Sequence, residues 1–71
     1  MTIFDKLDIL GAILGIDPDR LDPEIILDGL PQWNSATQRG LADYVRKNCG
    51  FSLTPQRIAT LTTVQDVLDL L

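Results

Sequence analysis

The segment at residues 16–34 constrains this chain more than any other part. Pro18, Pro23, Gly29 and Pro31 interrupt any helical or strand periodicity there. Yet Ile16, Leu21, Ile25, Ile26, Leu27, Leu30 and Trp33 make the segment too apolar for a free linker. Asp17 before Pro18 and Asp22 before Pro23 read as turn starts. A long loop is expected, crossing the surface with its apolar side chains tucked into the core. Loops of that length inside a small domain are uncommon and usually functional.

Helical patterns flank the loop. Thr2 and Asp5 have the spacing of a helix start. Ile3, Leu7, Leu10 and Leu14 then recur at three- and four-residue steps, widened by Phe4 and Ile13, and Gly15 is placed to stop the helix. Gly11 lies inside it at a cost in helix propensity. Asn34 or Ser35 begins a second helix, with Ser35 and Gln38 spaced as a capping box. Leu41, Val45 and Cys49 form its apolar stripe, and Gly50 its stop. Thr54-Pro55 predicts a short helix reaching about Thr60. Thr62 and Gln65 read as a further capping box, followed by the stripe Val64, Val67, Leu68 and Leu71. No alternating strand pattern occurs. The expectation is an all-α fold, one domain over residues 1–71, with three main helices and one short one.

With 71 residues there is room for one modest core. The chain has no histidine and one cysteine, Cys49, so neither an internal disulfide nor a Cys/His zinc site can form. Cys49 itself reads as a small buried hydrophobe on the Leu41/Val45 stripe. The net charge of −4 disfavours a nucleic-acid partner. No apolar run is long enough to span a bilayer, and no signal peptide is read at the start, which gives a cytoplasmic expectation. The acids concentrate in residues 1–28: Asp5, Asp8, Asp17, Asp19, Asp22, Glu24 and Asp28 face only Lys6 and Arg20. Beyond them, Arg39, Arg46, Lys47 and Arg57 balance Asp43, Asp66 and Asp69.

Enzyme chemistry finds little support. The commonest general base is missing, and no glycine-rich phosphate loop is present. The acidic D-P-D-R-L-D-P-E run lacks the spacing of a calcium loop and reads as a solvated turn. The informative feature is the apolar loop ending in Trp33-Asn34-Ser35 at a helix N-terminus. The dipole and free amides there favour a phosphate on the Ser35 hydroxyl. On this signal alone, the ordinary reading of Ser35 is a helix cap.

The order of these parts resembles the acyl carrier protein family over nearly the whole chain. L-G-I-D-P, from Leu14, looks like the family's exit from helix I. L-P-Q-W-N-S, ending at Ser35, looks like the approach to the modified serine, often written W-D-S-L. N-C-G-F-S-L, ending at Leu53, resembles the F-G-I-x-L close of helix II, and T-L-T-T-V-Q-D-V-L-D-L-L resembles helix IV. The resemblance implies a small four-helix bundle with a long loop between helices I and II. It implies a non-catalytic carrier whose Ser35 takes a 4′-phosphopantetheine arm from coenzyme A. Acyl groups would ride on that arm as thioesters. The implied partners are a phosphopantetheinyl transferase and the acyl-transfer or synthase enzymes of one pathway, met as a monomer.

Asn34 stands where the family usually has aspartate, and Ala36 where it has leucine. The second helix is basic, with Arg39, Arg46 and Lys47 as candidate docking charges, where fatty-acid carriers are acidic. A specialised biosynthetic pathway is therefore favoured over housekeeping fatty-acid synthesis. Trp33 reads equally as a partner contact or as an apolar plug holding the loop. The alternative function is a carrier-like helical interaction module that is never modified, a reading that Asn34 and Ala36 favour.

Overall fold

Each helix begins where a side-chain oxygen can take the free amides of its first turn. The computed structural model describes residues 1–71, with helices α1 (Ile3–Leu14), α2 (Ser35–Asn48), α3 (Pro55–Ile58) and α4 (Val64–Leu68). Thr2 starts α1 as its spacing to Asp5 suggests, and the two form a capping box: Asp5 N–H donates to Thr2 Oγ1 and Thr2 N–H to Asp5 Oδ2. Thr54 caps α3 with Pro55 at its first position, and that helix ends at Ile58, before Thr60.

The other two capping boxes are each displaced by one residue from the pairs read in the sequence, although Asn34 was one of the two starts read for α2. On α2 the cap is Asn34, paired with Thr37, and the Ser35–Gln38 box is not formed. On α4 it is Thr63 with Asp66, not Thr62 with Gln65. The α4 register buries Val64, Val67 and Leu68 together, and it lets the Asp66 carboxylate accept from both Thr62 N–H (2.9 Å) and Thr63 N–H (3.0 Å).

Gly15 ends α1 at φ 72°, and both its N–H and that of Ile16 donate to the Gly11 carbonyl. This is a Schellman-type close. Gly50, at φ 76°, follows α2 in the same left-handed region.

α1 packs against α2 and α4 over one apolar core. Leu10 and Leu14 come from α1, Leu41 and Val45 from α2, Val64, Val67 and Leu68 from α4, and Leu53 from the turn before α3. The remaining core residues, Leu21 and Leu27, come from the long loop. The loop is ordered by short 3-10 turns at Pro18–Arg20 and Leu27–Gly29. It is also tied to the start of α4. Val64 N–H donates to the Ile25 carbonyl and Gln65 N–H to that of Pro23, while Leu27 N–H donates to the Thr62 carbonyl. Two of the amides that a helix start leaves free are thus satisfied by loop backbone. The chain forms no strand; Ile26 and Thr63 make an isolated bridge.

Four apolar residues do not sit where their patterns suggested: Ile3, exposed at the start of α1, and three others. Ile26 is exposed: its neighbours Ile25 and Leu27 make the backbone bonds of the bridge, and Leu27 takes the core position. Phe4 is exposed on the first turn of α1, ahead of the buried stretch of that helix. Cys49 is exposed rather than buried: α2 ends at Asn48, and the stripe runs out past its last core residue, Val45. No helix is long and apolar enough to cross a membrane.

The α4 cap carries a prediction about acid. The Thr62 and Thr63 amides hold the Asp66 carboxyl below the usual carboxylate range, the Thr62 bond contributing most. A carboxyl whose folded pKa is lowered stabilises the fold fully above its unfolded pKa, and loses that contribution as pH falls through the folded value. Asp66→Asn is expected to lower stability at neutral pH and to flatten part of the decline in acid. Thermal midpoints of both proteins across the acid range check this; parallel acid limbs would show that the amides do not favour the charge.

Candidate functional site

The end of the long loop is fastened to α2 by its own side chains. Asn34 has extended backbone at φ −142°, and its Oδ1 accepts from Ala36 N–H (3.0 Å) and Thr37 N–H (3.2 Å). Its Nδ2 donates back to the Pro31 carbonyl at 3.2 Å. Asn34 N–H donates to Thr37 Oγ1, and the Thr37 hydroxyl donates to the Gln32 carbonyl. Residues 31–34 are therefore held to the first turn of α2 from both sides. An aspartate at position 34 could accept the same amide bonds but could not donate to Pro31. Asparagine thus does local structural work that an aspartate could not do.

This latch changes the reading of Ser35. The cap belongs to Asn34, so the ordinary explanation for a serine at a helix start does not apply. Ser35 occupies the first position of α2, is exposed, and its hydroxyl makes no hydrogen bond within the chain. The latch also corrects the expectation of free amides for a phosphate. Asn34 already takes two of them, Ala36 N–H and Thr37 N–H.

A cleft of about 280 Å³ lies beside Ser35, between α2 and α3. Ser35, Gln38, Arg39 and Ala42 form its α2 wall, and Leu53, Pro55 and Ile58 the other. Its size falls at the lower edge of the roughly 300–1,000 Å³ typical of small-molecule sites. The near wall is polar at the Ser35 end, while Leu53, Pro55 and Ile58 make the far wall apolar.

Of the residues singled out in the sequence, Ser35 and Arg39 meet at this cleft. Asn34 sits behind them as the cap, and Ala36 is exposed beside Ser35 without lining the cleft. Trp33 is half-buried and packs against the core. Arg46 and Lys47 are exposed in the last turn of α2, where cations complement the helix dipole. Arg46 reaches Asp43 at 3.4 Å, an exposed pair of little energetic weight. Sequence reasoning missed Thr37 and the far wall. The N-x-x-T spacing of Asn34 and Thr37 was a usable signal for the latch. The far wall depends on how α3 folds back toward α2, which no local pattern encodes. No family model, curated protein or solved structure matches this chain.

Proposed function

We propose that this chain is a carrier of the acyl carrier protein type, loaded with 4′-phosphopantetheine at Ser35. The observation that carries the reading is the Ser35 hydroxyl: exposed, unbonded and relieved of the capping role by Asn34. A hydroxyl at the first position of a latched helix is presented to a partner enzyme with little freedom of its backbone. In loading, the Ser35 O–H bond breaks and its oxygen bonds to the phosphorus of coenzyme A next to the pantetheine. The leaving group is 3′,5′-ADP, and the transferase takes the hydroxyl proton. The arm supplies a terminal thiol that holds acyl groups as thioesters.

The chain's own residues position the arm and do not catalyse. The four-helix architecture with a long, latched loop before α2 supports the carrier-type fold. The outward charges of α2, Arg39, Arg46 and Lys47 against Asp43, suit partner enzymes with acidic docking faces. That preference supports a specialised pathway over housekeeping fatty-acid synthesis.

Intact-mass analysis after incubation with coenzyme A, magnesium and a broad-specificity phosphopantetheinyl transferase tests the proposal. The expected result is a gain of one phosphopantetheine by the native chain and none by Ser35→Ala. If several transferases leave the native mass unchanged, the unmodified interaction module becomes the better reading, consistent with Asn34 and Ala36 at the two flanking positions.

A further inference from the structure

We infer that Arg39 is a clamp for the phosphodiester carried on Ser35, holding the root of the arm against the α2–α3 cleft. The inference rests on the carrier reading and adds what this chain's own side chains do to the arm. Ser35 and Arg39 are one helical turn apart, the i, i+4 spacing that places two side chains as neighbours on one face. Both line the same cleft. Arg39 has no acidic partner: Asp43, one turn further along, pairs with Arg46 instead. The first turn of α2 contains no acid that would compete for the guanidinium.

The need for a cation follows from the latch. Asn34 occupies the Ala36 and Thr37 amides, so the helix start has little left to offer a second anion. A phosphodiester on Ser35 adds one negative charge within reach of an unpaired guanidinium. Arginine suits that group because its planar fork can give two parallel hydrogen bonds to phosphate oxygens. With the phosphate held there, the branched hydrocarbon next to it faces Leu53 and Ile58 across the cleft. The clamp fixes the root of the arm and leaves the thiol end free.

Apo and holo proteins, each verified by mass, distinguish the outcomes. Loading is expected to raise the thermal midpoint of the native chain at low salt, by on the order of 2–6 °C for an exposed charge pair in a domain of this size. The rise should shrink in high salt. It should vanish in Arg39→Gln and survive in part in Arg39→Lys, which keeps the charge without the fork. The ³¹P resonance of native holo protein should also move with salt, a readout that needs no variant. Loaded proteins with equal midpoint rises in native and Arg39→Gln forms, or a ³¹P resonance indifferent to salt, overturn the clamp and leave the carrier reading standing. Failure to load the native chain overturns both.

Discussion

Leu27→Ala is expected to cost about 2–5 kcal/mol, the range for removing a large aliphatic side chain from a well-packed core. A chain of this length has roughly 5–10 kcal/mol in total, so the variant should lose a large share of its stability. Its thermal midpoint should fall by at least about 10 °C. The expectation is sharp because Leu27 belongs to the loop rather than to an α-helix, and yet is fully buried. Its N–H also donates to Thr62, so the side chain is centred where the loop meets the start of α4. The neighbouring Ile26 is exposed, and Ile26→Ala should change stability by no more than about 0.5 kcal/mol. Chemical denaturation of both variants tests the pair. Equal small losses would mean that the loop is laid over the core rather than built into it.

The same contrast shows what a one-dimensional pattern can carry. The apolar content of residues 16–34 sufficed to predict that the loop enters the core, because proline and glycine excluded the competing structures. It could not separate Leu27 from Ile26, since adjacent apolar residues in a non-periodic segment have no face until the backbone bonds to Thr62 and Val64 assign one. Two capping boxes slipped by one residue for a related reason. Near α4, Thr62 and Thr63 both offer a hydroxyl three residues before a polar side chain, and only burial of Val64, Val67 and Leu68 selects the register. Near α2, Asn34 and Ser35 both qualify as caps, and Asn34 prevails because Thr37 answers it and Pro31 receives its amide.

For function, that last competition matters most. Read as a sequence, Ser35 was best explained by capping, and its hydroxyl had a job. With Asn34 in the cap, Ser35 is left outward at the edge of a cleft with no intramolecular partner. The cleft itself was not legible, because Ser35 and Ile58 come together only through packing of segments far apart in sequence. Arg39, in contrast, was legible as an unusual charge on α2, although not as a neighbour of that cleft.

Gly11 and Gly40 give the second large contrast, and its two halves have opposite signs. Both lie inside helices, where replacing glycine with alanine would gain up to about 1 kcal/mol from propensity alone. A Cβ on Gly40 would meet Ile13 Cγ2 at 3.6 Å, an ordinary contact, so Gly40→Ala should keep most of that gain. A Cβ on Gly11 would stand 2.6 Å from the Ile16 carbonyl oxygen and 3.1 Å from Pro18 Cγ. The oxygen is backbone, in the turn that closes α1, and it cannot swing aside as a flexible side chain would. Gly11 also supplies the carbonyl that accepts from Gly15 and Ile16, so moving the turn away would strain the bonds that end the helix. Overpacking of this kind costs about 1–3 kcal/mol, more than propensity returns. Gly11→Ala is therefore expected to be destabilised and Gly40→Ala to be neutral or slightly stabilised, as read from their denaturation midpoints. A stabilised Gly11→Ala would mean that the turn at Ile16 is free to move, and with it the entry of the long loop into the core.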